Sequence, residues 1–100
     1  MEFKNPLIVV DDIDRSKKFY SEIFGLQVIM DFGANITLTG GISLQSKETW
    51  ATFIKKPEEK IVYQGNDAEL YFEEEEFDKF IEKLKNVHNI QYVHAYKQKY

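Results

Sequence analysis

Residues 9–28, VVDDIDRSKKFYSEIFGLQV, decide how the rest of the chain is read. Two runs rich in β-branched and apolar residues are joined here by one amphipathic segment. Asp12 or Asp14 can cap a helix by accepting the backbone N–H bonds that a first turn leaves unmet. Ile13, Ser16, Tyr20 and Ile23 recur at helical spacing with Phe24 beside them, which predicts one stripe facing a core. Gly25 stands where a left-handed residue ends a helix. Before the helix, Leu7–Val10 follows Asn5 and Pro6 and reads as a largely buried strand. After it, residues 26–32 read as a strand with Leu26, Val28, Met30 and Phe32 on one side. Gly33, Ala34 and Asn35 make a turn, residues 36–39 a third strand, Gly40 and Gly41 another turn, and residues 42–45 a fourth strand. Residues 1–45 are therefore expected to form one βαβββ module.

The character changes over residues 46–67, which read as a connector. Trp50, Phe53 and Ile54 have the spacing of a single helical turn, the stretch KKPEEK is polar and broken by Pro57, and residues 61–67 suit a short strand. A second module, residues 68–100, begins with a strand at AELYF (68–72). It continues with a helix over about 75–86 that carries Phe77, Phe80, Leu84 and Val87, joined by Ile81, and ends with a strand from Ile90 toward Tyr96. Shifted by 64 residues, the second half falls on the first, with Ile13 on Phe77, Ser16 on Phe80, Tyr20 on Leu84 and Ile23 on Val87. Asn89 then replaces Gly25 at the left-handed cap, and Ile90, Gln91 and Tyr92 lie on Leu26, Gln27 and Val28. Stripe, cap and strand stay in register, as an internal repeat requires. In that register Tyr100 falls on Ile36, so the second module is expected to stop as its third strand begins.

Composition narrows the function. A chain of 100 residues with 43% hydrophobic and 30% charged residues is an ordinary globular domain with one modest core. Its net charge of −4 argues against a nucleic-acid surface, which needs clustered Lys and Arg. No apolar run is long enough for a membrane span, and Met1, Glu2, Phe3 and Lys4 do not open a secretory signal. The absence of cysteine excludes disulfides, thiol catalysis and thiolate-bound zinc, and fits a cytoplasmic address. P-loop, GxGxxG, HExxH and EF-hand spacings are all missing.

The spacing D-I-x-x-S-x-x-F-Y-x-x-x-x-G-L, carried by Asp12, Ile13, Ser16, Phe19, Tyr20, Gly25 and Leu26 within a tandem βαβββ pattern, resembles the vicinal oxygen chelate superfamily. That superfamily includes glyoxalase I-like lyases, extradiol dioxygenases, fosfomycin-resistance enzymes and bleomycin-resistance proteins. The resemblance implies an α+β fold in which tandem modules curl an open, barrel-like sheet around a cavity, here with the second module incomplete as βαβ. It also implies that the first strand of a module pairs with its fourth. Metal-dependent members hold their ion from those two strands of each module. Carried over, the first-strand ligand falls on Asn5, the fourth-strand glutamate on Ser43 or, two residues on, Gln45, and the second module's first-strand ligand on Glu69. An amide, a hydroxyl and one carboxylate make a poor site for zinc, nickel, iron or manganese.

Each candidate carries two readings. Glu69 is either a cavity carboxylate able to act as a base or a solvated residue at a strand start. Asn5 and Ser43 either bond a ligand or satisfy backbone at strand ends. Tyr92, His94 and Tyr96 share one strand face, which suits either a planar aromatic ligand or plain packing. Trp50 and Phe53 either flank a pocket mouth or fill a gap between the halves. The acidic residues 73–76 are accounted for by the favourable field at a helix start.

The expected function is binding of a small organic molecule in the cavity between the modules, through Asn5, Ser43, Gln45, Trp50, Glu69, Tyr92 and His94, without a cofactor. One alternative is a divalent-metal-dependent lyase or dioxygenase using Glu69 and Gln45. Another is self-association, because an unpaired strand edge seeks a partner; a homodimer, or a natural chain longer than this one, is expected.

Overall fold

The computed structural model describes residues 1–63 and 65–92. β1 (Leu7–Val10) leads into α1 (Ile13–Phe24), β2 (Val28–Asp31), β3 (Asn35–Leu38) and β4 (Ser43–Ser46). α2 (Lys47–Phe53) follows without a break, then a 3-10 turn at Glu58–Lys60 and α3 (Phe77–Lys85). The four strands form one open sheet in the order β1-β4-β3-β2. β1 runs parallel to β4, with Leu7 beside Ser43 and Val9 beside Gln45, and the other neighbours are antiparallel. The fold is α+β, and the βαβββ order and the pairing of first with fourth strand are those the sequence led us to expect.

Local chemistry sets the boundaries of α1. Asp12 caps it, its Oδ1 accepting from the Arg15 N–H at 3.0 Å. Gly25 ends it at φ +69°, donating to the Ser21 carbonyl at 3.0 Å, while Leu26 donates to that of Tyr20 at 3.1 Å. A β-carbon is disfavoured in that left-handed region, which is why glycine suits it. Asn89, which the sequence alignment of the two halves places on Gly25, also has a positive φ, +65°.

Period-two alternation divides the sheet. Val10, Ile36, Leu38 and Leu44 form the buried core on one face, and Ile8, Ile13, Tyr20, Leu26 and Ile42 pack against it. The intervening residues of β3 and β4 belong to the opposite face. β2 departs from its expected regularity. A bulge lies between Val28, which pairs with Leu38, and Met30, which pairs with Thr37. The extra residue turns Met30 to the face opposite Val28, so these two do not share a side.

The connector is more helical than the expected single turn, since α2 spans seven residues. Ser46 caps it, its hydroxyl accepting from the Thr49 N–H. The expected short strand at 61–67 is not among the described residues' strands. The chain divides into two compact units, Met1–Glu69 and Leu70–Tyr100. In the second, α3 lies within the expected helix, starting two residues later. Residues 68–72 form no strand, and neither do residues 90–92. The residues of 68–72 are exposed on both faces, so no alternation of buried and exposed side chains marks a strand there. Residues 93–96, the rest of the expected last strand, lie outside the described residues.

Candidate functional site

The face of β3 and β4 turned away from the core carries amides and hydroxyls. Asn35 pairs across the strands with Gln45, and Thr37 with Ser43. Ser43 and Gln45 are each only 4% exposed, and they are the buried polar residues among those described. Buried polar groups must find partners, and these do. Asn5, just before β1, donates its Nδ2 to Ser43 Oγ. The Ser43 and Thr37 hydroxyls are 3.1 Å apart. Asn35 Nδ2 donates to Gln45 Oε1 at 2.8 Å, and Gln45 Nε2 donates to Thr49 Oγ1 in the first turn of α2.

One hydroxyl fixes the direction of this relay. Thr49 Oγ1 donates its single proton to the Ser46 carbonyl at 3.1 Å and is 2.7 Å from Ser46 Oγ. It can therefore only accept from Gln45, which must present its nitrogen. Gln45 then turns its oxygen to Asn35, and Asn35 must answer with its nitrogen. The orientation of both amides follows from the proton count.

Charge is held outside the row. Lys47, the first residue of α2, pairs with Asp11 at 3.1 Å and lies 5.8 Å from the centre of the Tyr63 ring. The hydrogen bond that Lys47 donates to Asp11 is the main cause that raises the Lys47 pKa. Burial pushes the Tyr63 hydroxyl up, outweighing the lowering effect of Lys47. Asp11 also lies 3.8 Å from Arg15. Among the described residues, no ionised side chain bonds to the Asn5, Asn35, Thr37, Ser43, Gln45 and Thr49 row.

The structure brings together three of the residues singled out from the sequence, Asn5, Ser43 and Gln45. Both readings of the fourth-strand position, Ser43 and Gln45, occupy the same face of β4. Glu69 is exposed at the end of the first unit. Trp50 is half-buried on α2. Tyr92 belongs to the second unit and is 55% exposed. His94 and Tyr96 lie outside the described residues. Asn35, Thr37 and Thr49 went unnoticed in the sequence, although N-I-T-L at 35–38 alternates in a way that places Asn35 and Thr37 together once Ile36 and Leu38 are assigned to the core.

The row does not fit a divalent metal. Zinc, nickel, iron and manganese sites draw on imidazole nitrogen and carboxylate oxygen; this face offers neutral amides and hydroxyls that already bond to one another. Among the described residues, no three His, Asp or Glu side chains are grouped so as to hold an ion. What the arrangement can do is exchange hydrogen bonds with an incoming molecule.

Residues 3–100 match the family model described as a glyoxalase-like domain. Among solved structures, the chain is similar to a protein of unknown function from Agrobacterium tumefaciens str. C58, with 33% sequence identity and a TM-score of 0.52. The likeness covers 57% of this chain and 46% of that one, so the chain spans less than half of that relative. No curated protein matches the chain significantly. No helix among the described residues is long and apolar enough to cross a membrane.

Proposed function

The chain belongs to the glyoxalase-like domain family of the vicinal oxygen chelate superfamily, and on that premise we propose that it binds a small organic molecule without a resident metal ion. The observation that carries this reading is the buried, fully neutral hydrogen-bond row on β3 and β4. Its residues orient one another, so a ligand meets a preset pattern of donors and acceptors rather than mobile side chains. The metal-dependent lyase or dioxygenase reading has less support, because Asn5, Ser43 and Gln45 supply no anionic or imidazole donor. A second reading, self-association, is favoured by β2, an edge of the sheet among the described residues, with Ile29, Met30 and the adjoining Phe32 strongly exposed.

A native mass spectrum of protein purified without chelators or a metal column addresses metal and assembly together, with a thermal-shift screen of small organic molecules beside it. The expected result is a metal-free species, dimeric if the β2 edge is used. At least one screened compound should raise the unfolding midpoint less in Ser43→Val than in the wild-type protein. Stoichiometric zinc, nickel, iron or manganese would overturn the proposal.

A further inference from the structure

Counting the hydrogen-bonding capacity left over in the row shows what it can offer. The Ser43 and Thr37 hydroxyls hold two protons and share one bond between them, so one proton is spare, whichever residue bears it. Ser43 Oγ accepts from Asn5, which leaves Asn5 Oδ1 as an unused acceptor. The relay from Thr49 forces Asn35 to spend its nitrogen on Gln45, which leaves Asn35 Oδ1 unused as well. No buried side-chain polar atom lacks a partner among the described residues. The two unused carbonyl oxygens are therefore not fully buried, and each keeps some access to solvent. Among the described residues this face holds one spare hydroxyl proton and two amide acceptors, and no charged side chain bonds to it.

We infer that this face selects an uncharged ligand bearing a carbonyl-type acceptor and an N–H or O–H donor along one edge, as in a carboxamide, a lactam or a ureide. The inference rests on the binding reading above and adds the chemical class. A carboxylate would meet two amide oxygens and a single proton, far too little to replace its water. A cationic ligand would find no carboxylate, since Asp11 is engaged with Lys47 and Arg15. A buried carboxylate would face acceptor oxygens of the wrong sign and a buried cation would have no counter-charge to offset its lost water, whereas a neutral carboxamide can match a donor and an acceptor without burying a charge.

Three probes of equal size and different charge test this: benzamide, benzoate and benzamidinium, titrated into the 15N-labelled protein and followed at the backbone signals of Asn35, Thr37 and Ser43. Benzamide should bind tighter than either ion by about tenfold or more, the effect of leaving one buried polar group unmet. The proton count adds a sharper expectation. Thr37→Val together with Ser43→Ala removes both hydroxyls and with them the spare proton, so benzamide affinity should fall by about tenfold in the double variant. The wild-type comparison stands even if the double variant does not fold. Benzoate or benzamidinium binding these residues as well as benzamide, or undiminished benzamide affinity in a folded double variant, overturns the inference and leaves the binding reading intact. Silence from all three probes at these residues overturns both.

Discussion

Gln45→Glu should convert this protein into one whose stability depends on pH in the carboxylate range. Gln45 is 4% exposed, accepts from Asn35 Nδ2 at 2.8 Å and donates to Thr49 Oγ1. A protonated glutamic acid reproduces both bonds, its carbonyl accepting from Asn35 and its hydroxyl donating to Thr49. Once ionised it has no proton to give, while Thr49 has committed its own to the Ser46 carbonyl. The carboxylate then faces a lone pair and loses its water, with no cation bonded to the row among the described residues. Its pKa in the folded protein should lie above the unfolded value near 4.3, by about 1–3 units for a group this buried, after allowing for the bond that Asn35 strengthens. The sign follows from linkage. A group with a raised folded pKa contributes stability that is complete below the unfolded pKa and is lost as pH rises through the folded one. Relative to the wild-type protein, the variant should be nearly unchanged at pH 4 and weaker by about 1.4–4 kcal/mol at pH 7.5, at about 1.4 kcal/mol per unit. Urea unfolding of both proteins at both pH values, followed by Trp50 fluorescence, measures this difference. An equal effect at the two pH values, or a variant that gains stability at pH 7.5, would mean that a cation reaches the row and that its neutrality has been misjudged.

Two further outcomes concern the core face. Leu44→Ala removes a side chain with no exposure, packed with Ile36 and Leu38, and should cost about 2–5 kcal/mol, read as a lower urea midpoint at unchanged slope; a loss under about 1 kcal/mol would contradict the assigned core. Burial raises the Tyr20 hydroxyl pKa, so its contribution is intact below about pH 10 and falls as pH rises beyond it. Tyr20→Phe should therefore match the wild-type protein at pH 7 and lose less stability near pH 11; Lys47 and Lys85, raised by Asp11 and Glu82, titrate in both proteins and cancel from the comparison.

The parts of this fold that were legible in the sequence are those set by local chemistry. Asp12, Gly25 and the Ile13, Tyr20, Ile23 stripe are sufficient to bound α1, because capping and helical periodicity act within a few residues. Asn89, expected to be left-handed from its alignment with Gly25, has φ +65°. What escaped depends on neighbours distant in sequence. The β2 bulge is a property of its pairing with β3 and leaves no mark in the run from Val28 to Asp31. AELYF has the composition of a strand, yet residues 68–72 form none, since β-propensity depends on context more than on composition. Asn35 resembled a turn residue because it follows Gly33 and Ala34, and its place beside Gln45 appears only when β3 and β4 are laid together.

The site and the helix after it share a chemistry that neither shows alone. β4 runs directly into α2, so Ser46 is at once the last residue of the strand and the cap of the helix. Thr49 closes that cap through its backbone N–H, and its hydroxyl bonds back to the Ser46 carbonyl. That back-bond uses the proton which would otherwise be free to face Gln45, and so decides which end of the Gln45 amide points at Asn35. A helix start, normally a matter of satisfying four orphaned N–H groups, here also sets the polarity of the neighbouring sheet face. The donor and acceptor pattern shown to a ligand is therefore coupled to the integrity of α2. The most direct expression of that coupling is the loss of one hydroxyl at Thr49, which would leave the Gln45 amide free to turn and Asn35 free to follow it.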